Sequence, residues 1–337
     1  MARKFKMLDW VSKSVIYEVN IRQYTQEGTF KAFADHVPRL IDMGVNVFWL
    51  MPVYAISKEG RKGTLGSYYA IQNYTAINSE FGSMDDFKEL VQLIQQMGGK
   101  VVLDWVANHT GLDHVWTVQH PGAYMKNEKG KFYERNGWDD VIDLNYYDGK
   151  MRTMMKEDML YWVNEGGIDG FRCDMAHLVP LDFWYEARTF LDQRKKLLWL
   201  GETETAAYLD VFDVCYAWKW LHASESVVKE KMSAAEFDLL EKEYQYNFTK
   251  GCLPMFFTSN HDENSWNGTE YERYGDKALP FAERTFQLGG VPLIYSGQEL
   301  PLKKRLAFFD KDEIPWHEGM QLHGFYKELI RKFKENR

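Results

Sequence analysis

GIDGFRCDMAH, residues 167–177, sets an arginine and an aspartate two positions apart inside a run that otherwise has the composition of a buried strand. Successive side chains of a strand point to opposite faces, so Gly170, Arg172 and Asp174 share one face and Phe171 and Cys173 share the other. The apolar pair suits packing beneath helices. The charged pair then points into the centre of a sheet, where each charge costs several kcal/mol unless it is paired or used. A purely structural ion pair is one reading of this strand and a functional site is the other.

Working outward, short runs rich in β-branched and aromatic residues recur along the chain. They are VIYEVNI (15–21), VNVFWLMP (45–52), KVVLDWV (100–106), IDGFRCD (168–174), LLWLGET (197–203), DVCYA (213–217), MFFTSN (255–260) and PLIYSG (292–297). Helical periodicity fills most gaps between them. In MDDFKELVQLIQQMGG (84–99), Phe87, Leu90, Val91 and Ile94 form one stripe and a glycine pair ends it. A second such segment is GKMRTMMKEDMLYWVNEGG (149–167). Eight alternating units predict an α/β fold, a (β/α)₈ TIM barrel with parallel strands inside and helices outside. The barrel is assigned to residues 1–106 and 148–337. Residues 107–147, without a strong period, form a small irregular insertion after the third strand. Insertions there lie on the C-terminal face of a barrel, where active sites are built. A second irregular stretch, about 260–277, follows the seventh strand onto the same face.

Composition narrows the function classes. The 337 residues are 45% hydrophobic and 27% charged, within the globular range. Twelve Trp, 20 Tyr and 21 Phe make 16% of the chain, and flat rings in a cleft are what sugar rings stack on; an aromatic-rich core is the alternative for any single ring. A net charge of −8 without a basic run argues against a nucleic-acid partner. Cys173, Cys215 and Cys252 lie far apart without CxxC spacing, which predicts buried thiols rather than disulfides or zinc. No apolar stretch reaches about 18 residues, so no membrane span is predicted. No signal peptide is read at the N-terminus, so a cytoplasmic protein is expected, with a trimmed secreted or periplasmic one as the alternative.

Polar clusters end three other predicted strands. LDWVANHT carries Asp104, Asn108 and His109; LGETE carries Glu202; FTSNHDEN carries Asn260, His261 and Asp262. One cluster alone reads as a cap or a satisfied core group. Four converging on one rim read as a site. Asp174, Glu202 and Asp262, crowded with Arg172 and two histidines, supply an ionised carboxylate held by Arg172, a proton donor whose pKa burial and repulsion raise, and a third anion. Those are the needs of glycoside hydrolysis through an oxocarbenium-like transition state. A metal hydrolase is the competing use of these residues, but neither HxH nor HExxH spacing occurs.

With these residues in place, the sequence closely resembles the alpha-amylase family, glycoside hydrolase family 13. DWVANH (104–109), GFRCDMAH (170–177), GET (201–203) and SNHD (259–262) look like its four signature regions in order and spacing, and the likeness runs through nearly the whole chain. The resemblance implies a retaining enzyme acting by double displacement on the α-glucosidic bonds of starch-like glucans or maltooligosaccharides. Asp174 is then the nucleophile, Glu202 the general acid and base, and Asp262 the group holding the sugar's 2- and 3-hydroxyls. Arg172 orients Asp174, Asp104 fixes Arg172, and His109 and His261 bond the sugar. Tyr69 stacks under it, with Tyr68 as the competing assignment. The nucleophile and acid are expected about 5 to 5.5 Å apart.

Three departures bear on these expectations. His177 and Leu178 stand where many members have Lys-His, which bears on acceptor contacts and on hydrolysis against transfer. The short insertion leaves Asn108 as the only candidate ligand for the calcium many members hold, with a loop-fixing hydrogen bond as its alternative role; no catalytic cofactor or metal is expected. The chain ends at ELIRKFKENR, matching an eighth barrel helix, where the family usually continues into a β-sandwich. An α-glucan transglycosylase, a short-chain α-glucosidase and a non-catalytic sugar-binding barrel are the rival readings. Trp138 and Trp266 are further candidate rings, for which core or loop packing is the plainer reading.

Overall fold

The computed structural model describes residues 4–247 and 251–337. Eight strands close into a parallel barrel: β1 (Ile16–Val19), β2 (Val47–Leu50), β3 (Lys100–Val106), β4 (Gly170–Asp174), β5 (Leu198–Gly201), β6 (Val214–Tyr216), β7 (Leu253–Phe256) and β8 (Val291–Tyr295). Each strand pairs with its neighbours in sequence, and β8 closes on β1. The fold is a (β/α)₈ barrel, as the alternation of runs predicts.

The period of two sorts the core into two apolar populations. Val47, Trp49, Val102, Leu198, Leu200, Val214, Tyr216, Met255 and Leu293 fill the barrel interior. Phe48, Leu50, Val101, Leu103, Trp105, Phe171, Cys173 and Trp199 pack outward against the helices. One such helix, Met84–Gln96, begins with a Ser83–Asp86 capping box and buries the predicted stripe of Phe87, Leu90, Val91 and Ile94. Most of the surplus aromatics belong to these layers, so the aromatic content is mainly a property of the core. Gly170 opens β4 because a Cβ there would lie 2.4 Å from the Leu198 carbonyl oxygen of the adjacent strand.

Two predictions are corrected. The seventh strand runs Leu253–Phe256 rather than 255–260. From Thr258 the backbone leaves the sheet, because its carbonyl accepts from Arg273 and its hydroxyl bonds Glu270, replacing ladder partners. The stretch 107–147 is more regular than its sequence suggests: His109–Gly111 pairs antiparallel with Val141–Asp143, next to a helical turn at Trp116–Gln119. An excursion the sequence reading left unassigned follows β2, where Tyr54–Ile56 pairs antiparallel with Ile71–Ile77. Its connecting loop carries Tyr68 and Tyr69 to the rim.

Candidate active site

The site is organised around one guanidinium. Arg172 lies in β4 opposite Asp104 of β3, and Asp174 opposite Val106, so strand register alone stacks these groups at the C-terminal rim. Arg172 Nη1 donates to Asp174 Oδ1 at 2.9 Å and to Asp104 Oδ1 at 3.0 Å. Its Nη2 is 2.8 Å from Glu202 Oε2, an ion pair without the alignment of a hydrogen bond. Its Nε donates to the Tyr216 hydroxyl at 3.0 Å, and its plane lies 4.9 Å from the Trp49 ring centre. The strand's ion pair is thus a junction joining three carboxylates from three strands. Asp104 also accepts from Trp49 Nε1 at 3.1 Å and from the Tyr69 hydroxyl at 3.0 Å, which fixes the side of Arg172 away from the cleft.

Glu202 follows β5 directly. Its Oε2 accepts the Met175 backbone N–H at 2.7 Å. Met175 makes that bond from a left-handed conformation, φ 41°, in the turn just after Asp174. A non-glycine residue there costs roughly 1–3 kcal/mol, strain placed between the two carboxyl groups. Burial raises Glu202 to about 7 against the pull of Arg172, and Asp174 and Asp262 push the same way. Burial also raises Asp174, with Arg172 opposing. Arg172 limits the rise that burial imposes, which is the direction expected of a guanidinium that favours the ionised carboxylate.

His261 connects the remaining groups. Its Nε2 meets the Tyr69 hydroxyl at 2.8 Å and Asp262 Oδ2 at 3.3 Å, its Nδ1 bonds Glu18 of β1, and its ring stacks on Tyr69 at 5.4 Å. Burial opposes charge on this imidazole, but Asp262 and Glu18 outweigh it and lift the group to about 9. His261 is therefore a cation at neutral pH. His109 is the opposite case: burial lowers it to about 4, and its Nδ1 contacts the Asn108 amide at 3.0 Å.

A cleft of about 500 Å³ lies above this floor, bordered by Tyr69, His109, Asp174, Glu202, His261 and Asp262. Arg172 and Asp104 lie beneath it, fully buried. Tyr68 is turned away, its ring 4.2 Å from the Arg22 guanidinium, so Tyr69 is the ring that meets the cleft. Trp138 and Trp266 border the cleft as well, and Trp266 also packs on the rings of Phe308 and Phe309. His177 is exposed, is not among the residues that border the cleft, and its ring makes a 3.5 Å contact to the Glu202 carbonyl. No group of three or more His, Cys, Asp or Glu among the described residues is arranged to hold a metal ion. The Asn108 Nδ2 contacts His109 Nδ1.

Sequence reasoning passed over Glu18, although an acid within VIYEVNI is the same signal as Arg172 within GFRCD. It also missed Phe308 and Phe309, which border the cleft from the loop after β8 and follow no period.

An arginine shared by three buried carboxylates, beside an aromatic-floored cleft on a (β/α)₈ rim, is the equipment of a glycoside hydrolase. The chain belongs to the alpha-amylase family: the family's catalytic domain matches residues 12–137 and 121–329. Alpha-amylase MalA of Haloarcula japonica is 27% identical over 340 residues, and the alignment takes in 95% of this chain and 48% of that protein. The chain thus spans about half the length of that relative. A 4-alpha-glucanotransferase of Thermotoga neapolitana is 27% identical, over 91% of this chain and 77% of that one. Among solved structures, an alpha-amylase from Lactobacillus plantarum superposes with a TM-score of 0.90 at 29% identity, covering 96% of this chain and 80% of that one. The noncanonic maltogenic alpha-amylase AmyB from Thermotoga neapolitana gives 0.89 at 34% identity, covering 96% and 77%.

Proposed function

We propose that this chain is a retaining glycoside hydrolase that cleaves α-glucosidic bonds of starch-like glucans or maltooligosaccharides by double displacement. Asp174 attacks the anomeric carbon while Glu202 protonates the departing glycosidic oxygen, giving a covalent glycosyl-enzyme. Glu202, now ionised, takes a proton from water, and that water displaces Asp174 with a second inversion. The observation that carries this reading is the Arg172 junction, which holds Asp174 and Glu202 on two nitrogens of one rigid group. A raised Glu202 is an acid matched to neutral pH. In this reading Asp262, half-exposed beside the cationic His261, accepts from sugar hydroxyls, and Tyr69 offers a face to the ring; both border the cleft, which supports the assignment. His109, held neutral by burial, is a donor or acceptor that needs no counter-charge.

The test compares wild type, Glu202→Gln and Asp174→Asn on maltoheptaose, starch, pullulan and sucrose. Cleavage by wild type with loss of about 10³-fold or more in each variant is expected. Equal, slow cleavage by all three would refute the catalytic reading and leave a sugar-binding barrel.

A second reading, transfer to an acceptor sugar, is favoured by one observation, a 4-alpha-glucanotransferase among the relatives. Products longer than the starting oligosaccharide, increasing when glucose is added, would support it.

A further inference from the structure

Among the described residues that border the cleft, Lys62 is the only lysine or arginine. Its Nζ lies 2.7 Å from Asp139 and 3.0 Å from Asp140. The two partners differ: the Asp139 side chain is 85% exposed, whereas Asp140 is buried and borders the cleft with Trp138. Lys62 also lies 5.9 Å from the ring centre of Phe309. Its loop is fastened to the loop after β8, because Asp310 accepts from the Thr64 backbone N–H and hydroxyl at 2.7 Å each and the Phe309 carbonyl accepts from Leu65 N–H at 3.0 Å. Three loops from distant parts of the chain therefore converge on one ammonium group. A solvated lysine needs no such seat.

The position of the pair along the cleft follows from the rings. Tyr69, the ring assigned beneath the sugar that is cleaved, is near-parallel to Phe308 at 6.2 Å; Phe308 meets Phe309 at 5.1 Å, and Lys62 lies beyond Phe309. Among the described residues, Glu202 is hydrogen-bonded or ion-paired to Met175 and Arg172 rather than to this run, and in the proposed mechanism it protonates the departing sugar. The run therefore leads toward the non-reducing end of a bound chain.

We propose that Lys62 and Asp140 bind the glucosyl unit next to the one over Tyr69, on its non-reducing side, and so set a preference for maltosyl over glucosyl groups. The inference rests on the glucan-cleaving reading. An ammonium donates to hydroxyls and a carboxylate accepts from them, while Trp138 and Phe309 supply apolar faces to the same unit. Lys62 is shared between Asp139 and Asp140, so both charged groups of the proposed pair already have a partner when an uncharged sugar enters.

The experiment measures kcat/KM on 4-nitrophenyl α-maltoside and 4-nitrophenyl α-glucoside and follows their ratio. In Lys62→Met and Asp140→Asn the ratio is expected to fall about tenfold or more, with the loss in KM for the maltoside. Lys62→Arg, which keeps the charge and the contact with Asp140, is expected to retain most of the ratio. A ratio within about twofold of wild type in both disruptive variants would overturn the proposal. Failure of the underlying reading is a different result: wild type would release nitrophenol from neither glycoside and leave maltooligosaccharides intact. Asp140→Asn is nearly isosteric, so the test stands even where Lys62→Met lowers stability.

Discussion

Glu202→Gln tests the electrostatics of the site through stability, independently of turnover. Glu202 is raised from 4.5 to about 7 in the folded protein, chiefly by burial. Below about pH 4.5 both folded and unfolded chains hold the proton, and the residue has no effect on the pH dependence. Between 4.5 and 7 the unfolded chain has released it and the folded chain has not, so wild-type stability falls as pH rises. At about 1.4 kcal/mol per pH interval of one, the rise from 4.5 to about 7 amounts to ~3.5 kcal/mol. Glutamine does not titrate. The stability of Glu202→Gln relative to wild type should therefore rise by up to ~3.5 kcal/mol between about pH 4 and about pH 8 and then level off. Urea unfolding of both proteins across that range, at fixed ionic strength, gives the difference curve directly. A flat curve, or one in which wild type gains on the variant as pH rises, would refute the assignment of Glu202 as a carboxyl kept protonated by burial. The same titration should appear as the alkaline limb of wild-type kcat near pH 7.

Arg172→Met leaves Asp104, Asp174 and Glu202 without their shared cation, and a loss of about 3–5 kcal/mol together with activity is expected from removing one member of a buried ionic cluster; an unchanged melting temperature would contradict the junction. Glu18→Gln removes one of the two anions that hold His261 near 9, so its NMR-monitored titration should move down, and an unmoved midpoint would show that Asp262 alone sustains the charge. Tyr69→Phe keeps the ring and deletes the hydrogen bonds to Asp104 and His261, with an expected fall of about tenfold in kcat/KM. Tyr69→Ala should cost clearly more, and equal losses would mean that the ring face contributes nothing.

What was legible in the sequence is what backbone geometry fixes locally. The spacing of Arg172 and Asp174 equals the strand period, so one face of β4 could be assigned without coordinates, and Glu202 at the end of LLWLGET followed from the same logic. Glu18 was equally legible by that rule and was passed over because VIYEVNI reads so strongly as core. Tyr69 against Tyr68 was undecidable from sequence, since both neighbours are aromatic and only the packing of Tyr68 on Arg22 settles which ring meets the cleft. The shift of the seventh strand was hidden because the residues that end it, Glu270 and Arg273, arrive from a later segment.

The sequence by itself determined the barrel, the rim on which the polar clusters meet and the facing of Arg172 and Asp174, because those depend on alternation within single strands. Tertiary structure decided the rest: that Arg172 joins three carboxylates, that burial outweighs it at Asp174, that His177 lies outside the cleft, and that Lys62, Asp140 and Phe309 share one wall. The last of these depends on segments as distant as Thr64 and Asp310 being fastened together. Local periodicity carries no information about such contacts, which exist only once the barrel has closed and brought its loops to one face.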